Sequence, residues 1–336
     1  ELARRQVGYG RGGRMQIERD RAEILSGVRH GLTIGSPISM WIENKDWRTG
    51  KGPDGLPWTQ IMDIRPTDAE YALITKLRPG HADTPGVAKY RQDDARNILE
   101  RSSARESTAR VAAGAVAQRL LQEFGVEVHG HVLNVGGIHA QPQYPIDWDS
   151  LEEPSYHSDR PDGSTMAAVR CADPNAAQKM IDVIDAAKES GDSVGGVIEI
   201  IASGLPIGLG SHVHWDRKLS TRLAASVMSI NAVKGVEFGI GFLQADMRGS
   251  EVHDVVKPVD EWERNVDGDW IQSWPRRSNN SGGLEGGMTT GESVVVRAVV
   301  KPIATLMSGL ETVDLATGQF IKKAHFERSD ITFVPT

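Results

Sequence analysis

Two long helical patterns, each signed at both ends, lie among runs of β-branched residues with no linker between them, and that arrangement limits the chain to a mixed α+β fold. The clearer pattern runs from Ser102 to Phe124. Ser102 or Ser103 caps it, with Glu106 as a capping-box partner for Ser103. Val111, Ala112, Ala115, Val116, Leu120 and Phe124 form one apolar face, and Gly125 stands where a terminating glycine belongs. The second pattern starts at Asp173 as cap, has Pro174 in its first turn, turns Ala177, Met180, Ile181 and Ile184 inward, and stops at Gly191. A third helix is expected over Asp216 to Ala232. Strands are expected over Val194 to Ser203 and Val294 to Val300. They are also expected within Arg14 to Glu43, where Met15 and Ile17, then Ile38, Met40 and Ile42, keep a period of two between turns at Gly27, Gly31 and Gly35. The polar stretch from Ala245 to Ser281, with Trp262, Trp270 and Trp274, reads as a long loop. With no internal repeat, residues 1–336 are read as a single domain.

Composition narrows the function. A formal net charge of -7 over 336 residues argues against a general nucleic-acid binder. No apolar run reaches the ~20 residues of a membrane helix. The single cysteine, Cys171, leaves no internal disulfide or cysteine-based zinc site and fits a reducing, cytoplasmic setting. Against that acidic background, Arg4, Arg5, Arg11, Arg14, Arg19 and Arg21 cluster near the start of the chain. A local basic patch of this kind suits a small polyanion better than a polymer.

Several segments carry chemistry. Gly8-Tyr9-Gly10-Arg11-Gly12-Gly13-Arg14 lacks the strand before it and the helix after it that a dinucleotide fingerprint needs, but its amides and guanidiniums suit an anion. Arg78-Pro79-Gly80-His81-Ala82-Asp83 is a turn that projects a histidine able to carry a proton near neutral pH. Arg101-Ser102-Ser103-Ala104-Arg105-Glu106 opens a helix, whose free N–H groups attract phosphate. Ser278 to Met288 holds four glycines around Leu284 and allows close approach of a flat ligand. Lys301-Pro302-Ile303-Ala304-Thr305 and Arg328-Ser329-Asp330 are uninformative alone. His129 with His131, and His212 with His214, alternate as residues sharing a strand face would, but spacing supplies no third ligand and no metal is expected. Neither a Gly-x-Ser-x-Gly elbow nor a P-loop is present.

Together with Val111-Ala112-Ala113-Gly114, Gly195-Gly196-Val197 and Ser229-Ile230-Asn231-Ala232-Val233-Lys234-Gly235, these segments resemble, in order and spacing, the signatures of the chorismate synthase family over essentially the whole chain. The resemblance implies a β-α-β sandwich with a helical layer between antiparallel sheets, a homotetramer, and reduced FMN bound without a Rossmann fold. It implies a lyase of aromatic amino-acid biosynthesis, acting at the last common step of the shikimate pathway. Phosphate leaves 5-enolpyruvylshikimate 3-phosphate in a 1,4-trans elimination, a proton leaves C6, and chorismate forms without net redox change. Reduced flavin lends electron density as phosphate departs, and its N5 takes the proton.

By motif, His81 and Asp330 are implied as the catalytic pair, His81 beside the flavin and Asp330 as a base. Arg101, Ser102, Ser103, Asn231, Ala232, Gly286, Lys301, Pro302, Ile303, Ala304, Thr305 and Arg328 are implied to hold FMN. Arg5, Arg11, Arg78 and Arg105 are implied to hold substrate, with Arg5 and Arg11 also matching positions for NADPH, a possible reductant. Guanidinium forks suit the carboxylates and phosphate of such a substrate. The family's N-terminal Gly-Glu-Ser-His-Gly segment, whose histidine protonates the leaving phosphate, and its C-terminal tail are expected to lie outside this sequence. Gln6 stands where relatives often have a third arginine. Two other readings share some of these features. A flavin reductase needs the nucleotide segments but not His81, and a non-catalytic FMN- or phosphate-binding protein needs no chemistry at all.

Overall fold

The computed structural model describes residues 1–12, 19–52, 55–66, 70–151, 165–262, 264, 274–326 and 329–335. In chain order the elements that position the site are α1 (Leu2–Gln6), β1 (Ala22–Ser26), β2 (Ser39–Ile42), α2 (Asp83–Tyr90), α3 (Ser107–Gln122), β3 (Glu127–Val135), β4 (Ile138–His139), α4 (Pro174–Ser190), β5 (Gly196–Ser203), α5 (Leu219–Met228), β6 (Val233–Phe238) and β7 (Val294–Val300). Five of them form one sheet in the order β4-β3-β5-β7-β6. Every neighbouring pair in it is antiparallel. The α+β class with antiparallel sheets is therefore what the sequence implied.

Alternation along the strands separates the two faces of this sheet. Val294, Val296 and Ala298 of β7 are buried on one face. There α4 lays down the expected Ala177, Met180, Ile181 and Ile184 against Val132 and Val135. Beside it, Leu219, Leu223 and Val227 of α5 pack on Leu284, Val294 and Val296. Burial of such aliphatic side chains, worth about 1.5–3 kcal/mol each, fixes the register of the strands beneath. The opposite face carries a polar row instead, with His131 opposite Glu199, Glu199 opposite Arg297, and Arg297 opposite Glu237. Among the described residues the strands β1 and β2 pair only with each other, as a two-stranded ribbon separate from the five-stranded sheet.

Local signals were kept at both ends of α4. Asp173 accepts bonds from the amides of Asn175 and Ala176, and Gly191 ends α4 at φ 72°. Ser103 accepts from the amide of Arg105, but it caps a 3-10 turn over Ala104–Glu106 that precedes α3. Glu106 pairs with Arg110 at 3.0 Å and so serves the helix surface. The expected apolar face of α3 is only partly covered: Ala112 is buried, while Leu120 and Phe124 are 61% and 74% exposed.

Three expectations change. The third helix is shorter than Asp216 to Ala232, because Lys218 is extended before it and Ala232 is left-handed at φ 73° after it. His212 and His214 are not on a strand; His214 bonds Asp216 at 2.7 Å ahead of a 3-10 turn. The stretch from Ala245 to Ser281 is not a plain loop where described. It holds short helical turns, and its base is tied by Asp254, which accepts from Ser278 Oγ at 2.6 Å and from the amides of Asn280 and Ser281 at 2.7 and 2.8 Å. Met15, Ile17 and Trp270 lie outside the described residues.

Candidate active site

The turn before α2 is built on a small core of Ile74, Leu77, Val87, Ala95, Ile98 and Leu99. Gly80 takes the left-handed conformation, φ 76°, that lets the chain reverse there. Asp83, the first residue of α2, is fully buried. Its Oδ2 accepts from Arg78 Nε at 2.8 Å and from the Arg78 amide at 3.1 Å, while Oδ1 lies 3.0 Å from Arg78 Nη2 and 2.5 Å from His81 Nδ1. Burial by itself raises the Asp83 pKa, but bonds from His81 and Arg78 outweigh it and hold the carboxyl well below its usual range. Nη1 of Arg78 donates to Thr305 Oγ1 at 3.1 Å, so this guanidinium is engaged inside the turn on all three nitrogens.

That bond, with one from Lys301 Nζ to the Gly80 carbonyl, staples the turn to the 301–305 segment. The Lys301 amide donates to Ala232 O at 2.9 Å. Next to Ala232, the Asn231 side chain donates to the carbonyls of Ser102 and Ser103 at 3.4 and 3.3 Å. Four separate stretches of chain thus bring His81, Arg78, Thr305, Lys301, Ala232, Asn231, Ser102 and Ser103 into one contact-linked set. Burial, helped by the charge of Lys234, lowers the pKa of Lys301. Neither lysine has a carboxylate partner among the described residues, so the set carries positive charge that a phosphate would neutralise.

A second group continues from Ser103. Arg5 donates to Ser107 Oγ at 3.0 Å and to Ala104 O at 3.3 Å. Buried Asp20 grips Arg105 with two bonds of 2.8 Å and lies 3.6 Å from Arg5 Nη1. A third group joins Arg11 to Asp330 at 2.6 Å, with the Gly12 amide also donating to Asp330 Oδ1 at 2.6 Å. It reaches the 301–305 segment through Ile331, whose carbonyl accepts from Val194 N at 3.0 Å, and Ser193, whose Oγ donates to Ile303 O at 2.7 Å. Gly12 must be glycine here, since a Cβ would come within 2.6 Å of Ser329 O.

Other expected residues stand apart. Gly286, at φ 57°, is in a hairpin seated on the start of α5, where the Leu219 amide donates to Gly287 O at 2.8 Å. Asn231 lies past the far end of that helix, ~15 Å away along its axis. Arg101 is exposed, and Arg328 lies outside the described residues. Pro302 and Ala304 sit within the 301–305 segment, Ala304 close to Gly80. Sequence reasoning missed Asp83 and Asp20 as partners of site residues. Asp83 was visible within the motif. Nothing in spacing could have brought Asp20 to Arg105.

A second buried cluster lies on the polar sheet face. Glu199 takes His131 Nε2 at 2.9 Å, Arg297 Nε at 2.7 Å, and the Tyr144 hydroxyl. His129 stacks on Trp148 at 4.7 Å and takes no part in it. No cluster of three or more metal-ligating side chains exists among the described residues, and no helix among them is long and apolar enough to cross a membrane.

Comparison with known proteins gives one family throughout. The family described as chorismate synthase matches residues 1–336. A chorismate synthase of Geobacillus sp. (strain WCH70) is 51% identical over 338 residues, covering 100% of this chain and 80% of the relative. Chorismate synthase 1 of Bacillus cereus (strain ATCC 14579) is 51% identical over 340 residues with the same coverage. A crystal structure of chorismate synthase aligns with TM-score 0.63 and 38% identity, covering 90% of this chain and 74% of that one. The relatives carry one name and the likeness spans the whole chain: the chain belongs to the chorismate synthase family of lyases.

Proposed function

We propose that the contact-linked set around His81 binds reduced FMN and that the chain performs the 1,4-trans elimination that converts 5-enolpyruvylshikimate 3-phosphate to chorismate. The observation that carries this reading is the convergence of Ser102, Ser103, Asn231, Ala232, Lys301, Thr305 and His81 from separate segments. Two lysines without carboxylate partners among the described residues, with amide and hydroxyl groups around them, fit a ligand bearing a phosphate. Reduced flavin, when bound, supplies the electron density that eases departure of the leaving group.

The protein's own groups position the rest. In the elimination the C3–O bond breaks and its electron pair leaves with phosphate, the ring C1=C2 pair shifts to C2=C3, and the electrons of the C6–H bond form C6=C1 as the proton departs. Arg5, Arg11 and Arg105 bind the carboxylates and phosphate of the substrate, and Asp20 and Asp330 hold their forks in place. Arg78 adds its charge from behind the turn. His81 holds the proton balance beside the cofactor, and Asp330 acts as the base that helps draw the C6 proton out. Arg5 and Arg11 also serve NADPH if the enzyme reduces its own flavin.

A homotetramer is part of this reading. Ile24, Leu25, Leu32, Ile34, Trp41 and Phe242 are among the large apolar side chains left outside, which favours association. Buried, free Cys171 fits a cytoplasmic enzyme.

The test is anaerobic phosphate release from 5-enolpyruvylshikimate 3-phosphate with photoreduced FMN. Equal yields of phosphate and chorismate, absent with oxidised FMN, are expected. Tight flavin binding without release would move the assignment to a flavin reductase or a binding protein.

A further inference from the structure

We propose that Asp83 is a positioning residue for the elimination: its buried carboxylate keeps a proton on His81 Nδ1 and leaves Nε2 as the nitrogen that meets cofactor or substrate. The proposal rests on the reading of His81 given above and adds which atom acts and what sets it.

The geometry leaves one consistent arrangement of protons. An ionised carboxylate only accepts hydrogen bonds. Asp83 is fully buried and faces Arg78 through Nε, Nη2 and the backbone amide, which favours its ionised form. His81 Nδ1, 2.5 Å from Asp83 Oδ1, must then be the donor. Arg78 Nη2 also lies 3.0 Å from Nδ1, but two N–H groups cannot bond each other, and the Nη2 proton has Asp83 Oδ1 at 3.0 Å to serve instead. No partner for His81 Nε2 exists among the described residues, and the side chain keeps 21% of its surface exposed. Across from the turn stands Lys301, bonded to the Gly80 carbonyl, with Lys234 behind it. The groups facing His81 are therefore one carboxylate on Nδ1, Arg78 beside it, and two lysines toward the 301–305 segment.

A carboxylate on Nδ1 selects the tautomer and fixes the ring, so that Nε2 keeps one orientation. Arg78, engaged by Asp83 and Thr305, is the strut of the arrangement; a lysine there could not make both contacts.

The experiment is a kinetic cycle on the whole enzyme with Asp83→Asn, His81→Ala and the double variant, read as kcat for chorismate formation with reduced FMN. Asp83→Asn should lower kcat by roughly 10²-fold with KM little changed. In the His81→Ala background it should cost nothing further. The same loss in both backgrounds would make Asp83 a structural residue only and overturn the proposal. Long-range 1H–15N correlation on wild-type enzyme labelled at histidine, with His81→Ala for assignment, decides the question even if Asp83→Asn does not fold. The neutral ring should carry its proton on Nδ1, and a proton on Nε2 would be a refutation. These nitrogen shifts are read without turnover. A wild-type enzyme that made no chorismate would sink the function reading and leave this assignment separately decided.

Discussion

Asp83 and Glu199 are both fully buried, and each is shared between one arginine and one histidine, yet the two clusters are built for different ends. Asp83 collects its partners from five residues back along one turn. Glu199 collects His131 and Arg297 from the strands on either side of its own. Among the described residues His81 Nε2 has no partner and the side chain is partly exposed. His131 has no side-chain exposure, is boxed by the rings of Tyr144 and Trp148, and has a buried Nδ1 with no hydrogen-bond partner among those residues. A carboxylate, an arginine and a histidine thus leave one histidine nitrogen accessible where the backbone turns, and make a closed tie across the sheet. What separates them is access and what stands opposite the free nitrogen.

The largest effect should come from breaking the structural cluster at its centre. Glu199→Gln removes the charge that compensates partly buried Arg297 and weakens the bond to buried His131, and should cost about 3 kcal/mol of stability. Denaturant unfolding should report that loss while kcat for chorismate formation stays near wild type. A matched fall in kcat at full folding would erase the distinction. On the site side, Asp20→Asn loosens the forks of Arg105 and Arg5. It should raise the substrate KM roughly tenfold with little change in kcat, because it weakens ground-state and transition-state binding alike. Steady-state kinetics separate the two constants. Tyr144→Phe deletes one bond to Glu199 and should cost about 1 kcal/mol, visible as a lower Tm.

A smaller effect is expected in acid. Burial alone raises the Glu199 pKa, but bonds from His131, Tyr144 and Arg297 bring it down to about 2 from the model-peptide value of 4.5. A depressed carboxylate contributes stability that is present above its unfolded pKa and lost as pH falls through the folded one. Stability should therefore decline between roughly pH 4.5 and 2 in part through Glu199, and this share of the decline should vanish in Glu199→Gln. An identical slope in the variant would show that Glu199 is not the group being titrated.

The local cluster could be read in the sequence and the distant one could not. Arg78, His81 and Asp83 are neighbours within one motif, so a turn sufficed to bring them together. Meeting Glu199 requires His131 to hold one register across β3 and β5, and that register shifts at an irregularity between Val132 and Asn134. No period in the sequence announces such a shift. His129 and His131 share a strand face, and the structure gives one to Trp148 and the other to Glu199. Helix α4 was legible because its caps, Asp173 and Gly191, are local, whereas the cap expected for α3 serves the 3-10 turn ahead of it. The length of α5 was not, because its ends are set by Lys218 and Ala232, residues with no breaking tendency of their own. Asp20 illustrates the remaining gap: it meets Arg105 across 85 residues of chain.

The most direct test sets the two histidines against each other in the anaerobic assay. His81→Ala and His131→Ala are each measured for kcat of chorismate formation and for Tm. The account predicts that His81→Ala loses roughly 10²-fold or more in kcat with Tm nearly kept. It predicts that His131→Ala keeps kcat and loses several degrees of Tm. Wild-type turnover in His81→Ala, or a selective loss of turnover in His131→Ala, would contradict it.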